Sequence, residues 1–247
     1  PFVGGGSVFI AVKQLIKSNA IFKINDLNHD LYCFWTNVKD NVSELIKEIT
    51  QVKKSAANGK ELFTFYMVND KELSSLEKAV RFFVLNRITF SGTVDSGGYS
   101  QQAFDRRFTQ SSIDRVKLIS PLIKDVQISY GDYEELLFQE GENVFIFLDP
   151  PYLKPAKSRL YGKNGFLHTS FDHKRFAENM RMCKHKWLIT YDDNSEIRRL
   201  FDFANIYEWE LQYGMNNYKQ DKARKGCELF ISNYDLNLLK QTCFVFV

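Results

Sequence analysis

Proline and glycine are sparse in this 247-residue chain, at 5 and 13 residues, and that excludes a collagenous or low-complexity architecture. The four cysteines (Cys33, Cys183, Cys227, Cys243) are scattered, make no Cys-x-x-Cys pair and have no histidine at ligand spacing. That excludes a disulfide framework and a zinc site, leaves no metal expected, and predicts free thiols in a reducing compartment. No uninterrupted apolar stretch is long enough to span a bilayer, and no secretory signal is present, so a cytoplasmic location is expected. The pattern G-x-x-x-x-G-K-[ST] is missing, which argues against a triphosphate site, and the missing G-x-G-x-x-G weighs against a nicotinamide cofactor. Net charge is small at +3, so the global field pulls weakly on an anionic partner and a local basic patch matters more.

What the chain does have is a generous apolar and aromatic supply, 44% hydrophobic with 22 Phe and 12 Tyr, enough for one full core with or without an insertion. It opens on "PFVGGGSVF", a glycine turn with no strand before it, and the natural protein is expected to continue upstream. A short helix over 7–17 and a strand "AIFKIND" ending at Asp26 follow. From Leu27 to about Ala57, Val38, Val42, Leu45, Ile49 and Val52 recur at helical spacing until Asn58-Gly59 breaks the pattern. Ser74 and Glu77 have the spacing of a capping box, and Ser112 is expected to cap a later helix.

The second half alternates strands with helices. "VQISYGDY" and the continuously apolar "NVFIFLDPPY" read as strands, Asp172 opens a helix, "KWLITYDDN" is a strand and 196–203 a helix. "NIYEWELQY" and "CELFISNY" follow with no helix between them, as a terminal antiparallel pair would. The expected fold is a doubly wound α/β sheet. Residues 51–120 are too helical and loop-rich to belong to that sheet and read as an insertion.

In open α/β sheets ligands bind beyond the carboxyl ends of the strands. Gly4-Gly5-Gly6, Asp26, Asp132 and Asp149 all fall there. A glycine turn lets a ligand approach the backbone, and an acid at the next strand end can accept both hydroxyls of a ribose. Taken singly, the glycines are an ordinary tight turn and Asp26 a helix cap in "NDLNHD"; together they favour a nucleotide site. At Asp149-Pro150-Pro151-Tyr152 the prolines fix the backbone and hold the acid at the strand end. A carboxylate and a carbonyl in fixed positions suit an amino group with two protons, and Tyr152 offers a flat surface for a planar base.

Asp149 to Tyr152 resembles the DPPY motif of amino-group DNA methyltransferases. "PFVGGGSVF" and "RFFVLNRITFSG" (Arg81 to Gly92) resemble the cofactor motif and inserted domain of the Dam/DpnM-like, alpha-group adenine-N6 class, in the same order. The resemblance implies a Rossmann-like methyltransferase sheet with a terminal antiparallel strand pair and a helical inserted DNA-recognition domain. It implies a catalytic, S-adenosylmethionine-binding domain over 1–50 and 121–247, and target recognition over 51–120. By the same resemblance, Phe2, Gly4, Gly5 and Gly6 line the S-adenosylmethionine pocket with Asp149 touching it, Asp26 holds the ribose and Asp132 meets the adenine. Asp149, Pro150, Pro151 and Tyr152 act on a flipped adenine in double-stranded DNA at a specific sequence. A cognate restriction endonuclease acting on the same site is an expected partner.

An exocyclic amine is a poor nucleophile, and hydrogen bonds to Asp149 and the Pro150 carbonyl would favour a pyramidal nitrogen aimed at the methyl group; the sulfonium supplies the driving force without a metal. DNA contact is expected from the insertion, where Arg81, Arg87, Arg106, Arg107, Arg115 and Lys117 interleave with Tyr99, Phe104 and Phe108. Asn86 and Arg87 could equally buttress the cofactor side. The basic loop "NNYKQDKARKG" (Asn216 to Gly226) is a candidate clamp on the phosphate backbone. Two family features are missing: no Pro-Gly-Gly-Lys-type loop occurs, and "SQQAFDRRF" stands where GATC-reading relatives carry Asn-x-Pro-x-Gly-Arg. GATC specificity is therefore not expected. The alternatives to a DNA enzyme are a non-catalytic DNA-binding remnant and an RNA adenine methyltransferase.

Overall fold

The computed structural model describes residues 1–16, 19–68, 72–94, 97–153, 171–212 and 225–237. Among these the chain divides into two compact units, 2–133 and 134 onward, each with its own set of paired strands.

In the first unit the glycine turn leads into α1 (Ser7–Leu15) and then β1 (Lys23–Asp26). Helices α2 (His29–Asp40), α3 (Val42–Ser55), α4 (Gly59–Val68), α5 (Ser75–Ile88), α6 (Gln101–Arg107) and α7 (Gln110–Ile119) precede β2 (Gln127–Tyr130). β1 and β2 are parallel, with Asp26 opposite Tyr130, so both carboxyl ends open on one edge. The apolar period from Val38 to Val52 is continuous in sequence but belongs to two helices. Asn41 leaves helical geometry at φ −139° and ψ 35°, as asparagine does readily because its amide competes for backbone partners. Ser74 and Glu77 make the expected capping box on α5. On α7 the cap is Thr109, while Ser112, expected in that role, stands three residues on and returns the bond to the Thr109 N–H. A serine in the place usually held by Glu or Gln hides this box from a sequence reading.

The core of this unit gathers Trp35, Val38, Leu45, Ile49, Phe83, Leu85, Ile88 and Ile113. Buried Asn37 donates its amide N–H groups to the Cys33 carbonyl at 2.9 Å and to the Ser75 carbonyl and hydroxyl at 3.3 and 3.0 Å, tying α2 to the start of α5. Leaving such an amide unpaired would cost about 1–3 kcal/mol. Residues 51–120 lie in this unit, where α5 packs on α2 and carries α6 against it.

The second unit holds α8 (Glu134–Leu137), β3 (Phe145–Leu148), α9 (His173–Met182), β4 (Lys186–Asp192), α10 (Ser195–Leu200), β5 (Asn205–Gln212) and β6 (Lys225–Ser232). The strand order is β3-β4-β6-β5, parallel between β3 and β4 and antiparallel at the other two pairings. The expected terminal antiparallel pair is present, with β6 inserted between β4 and β5. Period-two alternation sends Ile146, Leu148, Trp187, Ile189, Tyr191, Leu229 and Ile231 into the core, where Phe176 of α9 and Phe201 meet Tyr191. Each such side chain contributes about 1.5–3 kcal/mol by leaving water. Asp172 caps α9 as expected, accepting the Arg175 N–H at 2.9 Å.

The whole is a mixed α/β protein. Cys33, Cys183 and Cys227 are free thiols. Among the described residues no helix is long and apolar enough to cross a membrane. Most of the basic loop over 216–226 lies outside the described residues.

Candidate active site

The first group of expected site residues comes together at the carboxyl edge of β1 and β2. Gly4 and Gly6 take φ of +48° and +70°, values that cost a side chain roughly 1 kcal/mol or more. The turn they make is closed on both sides. The Gly4 N–H donates to the Asp26 carboxylate at 3.1 Å, and the Gly4 carbonyl accepts the Trp35 indole N–H at 3.1 Å. Gly6 caps α1, and a Cβ there would stand 2.5 Å from the Trp35 ring, so the third glycine is demanded by packing as well as by φ. At Gly4 and Gly5 a Cβ would meet nothing within 4 Å, which leaves this stretch of backbone open to a ligand. Phe2 also has positive φ, at +58°, and its ring lies 5.5 Å from that of Tyr133.

Asp26 sits at the end of β1 as expected. The cap of α2 is not Asp26 but Asn28, whose side chain accepts the Leu31 N–H at 3.2 Å. Asp26 instead accepts the Asn28 N–H at 3.0 Å on one oxygen and the Gly4 N–H on the other. Each carboxylate oxygen thus keeps lone-pair capacity for a further donor. Burial pushes the Asp26 carboxyl above its ordinary range, and the bonds from Asn28 and Gly4 pull it part of the way back. Gly131, at φ +143°, donates its N–H to the Asp26 carbonyl at 3.2 Å and sets half-buried Asp132 at the end of β2.

In the second unit Asp149 follows directly on β3, as expected, with buried Pro150 behind it. The prolines fix the backbone, but the carboxylate itself is held by a residue that sequence reading missed: the Thr190 hydroxyl, on β4, donates to it at 2.7 Å. The side chain is open to solvent on one side and crowded by protein atoms on the other. That burial raises its pKa, opposed by the hydroxyls of Thr190 and Tyr152. Tyr152 lies 6.0 Å from the Tyr191 ring, and its hydroxyl is 3.5 Å from the carboxylate of Glu228 on β6.

The residues expected to meet DNA divide by their partners. Arg81 forms an ion pair with Asp30 at 2.6 Å and donates to the Tyr66 carbonyl, bracing α5 on α2. Arg107 donates to the Asn86 and Thr89 carbonyls at 2.8 and 3.4 Å, while the Asn86 amide donates to the Gly92 carbonyl at 3.0 Å. The Tyr99 hydroxyl donates to Gln101 at 2.6 Å. Arg106, Arg115 and Lys117 are exposed. Arg87 lies over the Phe83 ring, 5.3 Å from its centroid, with its Nε unpaired among the described residues. Burial, and then the charges of Arg107 and Arg115, lower its pKa. α5, α6 and α7 therefore bring three arginines near one another, a grouping that attracts anions and that linear spacing does not reveal.

A family model described as D12 class N6 adenine-specific DNA methyltransferase matches residues 1–215. The chain is 25% identical to a Type II methyltransferase of Lactococcus lactis subsp. cremoris, across 95% of this chain and 85% of that relative. It is 28% identical to a Type II methyltransferase of Methanocaldococcus jannaschii, across 95% of this chain and 87% of that one.

Proposed function

This chain belongs to the D12 class of N6 adenine-specific DNA methyltransferases and methylates adenine N6 in DNA, and from that premise we propose which of its residues do so. The family implies S-adenosylmethionine as the methyl donor. The first unit has features that fit it: a glycine backbone with open space beside it, and a carboxylate with spare lone pairs at the neighbouring strand end. Phe2 and Gly4 to Gly6 line the pocket, Asp26 accepts the ribose hydroxyls, and Asp132 meets the adenine ring. When bound, the donor offers an electrophilic methyl on a sulfonium.

Asp149 and the Pro150 carbonyl accept hydrogen bonds from the two N–H groups of the target amine; the N–C bond forms as the S–CH3 bond breaks, and one N–H proton is then released from the methylated amine to water. These bonds draw the nitrogen lone pair out of ring conjugation and aim it, a positioning effect that accounts for much of the rate. Pro151 keeps the turn extended, and Tyr152 stacks on the adenine, which must leave the duplex because its amino group is otherwise paired. Residues 51–120 act as the helical target-recognition insertion. Within it Arg87, Arg106 and Arg115 hold the DNA, while Asn86, Tyr99 and Arg107 shape the surface beside them. The Type II designation of the two relatives supports a restriction-modification setting; a nuclease acting on the same site and a cytoplasmic place of action are part of the proposal.

The observation that carries this reading is the Asp149 carboxylate, fixed at a strand end by Thr190 and next to a proline pair and a tyrosine. The test is transfer of labelled methyl to unmethylated duplex DNA. Transfer giving N6-methyladenine, with at least a thousandfold loss in Asp149→Ala, is expected; a variant within about tenfold of the parent would remove Asp149 from the site. Losing one partner of a charged hydrogen bond already costs about tenfold or more, before misplacement of the amine is added.

A further inference from the structure

We propose that Thr190 is a positioning residue for methyl transfer, orienting the Asp149 carboxylate that receives the adenine amino group. The inference rests on the reading of Asp149 given above and adds a residue that no motif marks.

The geometry begins with register. Leu148 of β3 stands opposite Ile189 of β4, so the next step of the parallel pair sets Asp149 beside Thr190, one residue beyond the last laddered pair. Thr190 is central in its sheet, flanked on the other side by Phe230 of β6, and only 8% exposed. Its β-branched side chain has few rotamers at such a site, so the hydroxyl is presented in one direction. The bond it gives Asp149 is short, at 2.7 Å.

Two prolines immobilise the main chain after Asp149, yet they leave the carboxylate plane free. The terminal torsion of aspartate is broad and roughly two-fold, so a fixed backbone does not by itself fix where the acceptor lone pairs point. The threonine hydroxyl removes that freedom. It occupies one lone pair, and a carboxylate offers about four sites, so capacity remains for the phenol of Tyr152 and for an incoming N–H. The hydroxyl has a second effect of the same sign: donation favours the ionised carboxylate and opposes the burial that favours the neutral acid. A neutral carboxyl would present a donor where the adenine amino group needs an acceptor. Other titratable groups on this face of the sheet are Lys186 and Asp192 of β4, Tyr207 of β5, Glu228 of β6 and Tyr152.

The test is the single-turnover rate of methyl transfer by the full chain, at saturating donor and DNA, in Thr190→Val, Thr190→Ser and Asp149→Asn. Valine keeps the shape and removes the hydroxyl; serine keeps the hydroxyl. The expected result is a loss of about tenfold to a hundredfold in the rate for valine, near-parental rate for serine, and unchanged DNA affinity in both. The acid limb of the pH–rate profile moves to higher pH in the valine variant. A valine variant with parental rate beside an inactive Asp149→Asn overturns the role of Thr190 and leaves that of Asp149 standing. An active Asp149→Asn overturns both. If the valine variant does not fold, Thr190→Ala against Thr190→Ser isolates the hydroxyl, and equal rates in that pair overturn the proposal.

Discussion

At Asp26 the proposed ribose contact rests on the chemistry of a single carboxyl. Its folded pKa is raised above the unfolded one, chiefly by burial. The stability linked to its protonated form is therefore fully present below the unfolded pKa and is lost as pH rises through the folded value. Burial makes the ionised form of this acid costly, and in the role proposed for it two ribose hydroxyls donated to the carboxylate offset that cost. Affinity for S-adenosylmethionine should therefore fall on acidification with a midpoint above the ordinary aspartate value of about 4. Calorimetric titrations across pH would show this, and Asp26→Asn should bind more weakly at neutral pH with a flattened profile. An Asn variant that keeps the parental profile would place the titrating group elsewhere. Asp149 is raised by the same cause but answers to different neighbours, Thr190 and Tyr152.

Among the elements, the junction of the glycine turn with α1 and α2 is tightly packed. Gly6 both caps α1 in left-handed geometry and lies under Trp35, which in turn donates to Gly4. Gly6→Ala must accommodate an atom 2.5 Å from a buried indole at a φ that side chains avoid. A cost of about 2–4 kcal/mol is expected, enough to lower Tm by roughly 5–15 °C in a protein of this size. Gly4→Ala meets open space and carries the backbone strain alone, about 1–2 kcal/mol. Thermal melts of the two variants should separate accordingly, and equal losses would mean that Trp35 yields freely. The same logic of packing against neighbours assigns Arg81 and Arg107 to bracing helices, since their donors are committed to Asp30 and to the carbonyls near the end of α5.

For the whole molecule, a net charge of +3 is too small to drive binding to a polyanion through the global field. Attraction must come from local groups, and on α5, α6 and α7 the charges of Arg107 and Arg115 lie close enough to add to the burial that lowers the Arg87 pKa. DNA affinity should fall linearly with the logarithm of salt concentration. Arg87→Ala and Arg115→Ala should each flatten that slope by about 1, with little change in preference between sequences. Fluorescence anisotropy across a salt series is the measurement. A slope that neither substitution alters would assign the phosphate contacts to other cations.

Much of this was legible along the chain because its signals are local. Apolar period and terminating residues located Asp26 and Asp149 at strand ends, the turn at Gly4 to Gly6, the capping box at Ser74 and the antiparallel last pair. Each depends on residues within a few positions of one another. The break at Asn41 and the cap at Thr109 were missed because one asparagine or one serine changes the outcome without changing the period. What only the tertiary structure decided is partnership across distance. Thr190 reaches Asp149 from 41 residues away, Trp35 closes over Gly6, and Arg87 gathers with Arg107 and Arg115. Such pairings follow from strand register and helix packing, which are set by the summed fit of the whole core and not by any single stretch of sequence.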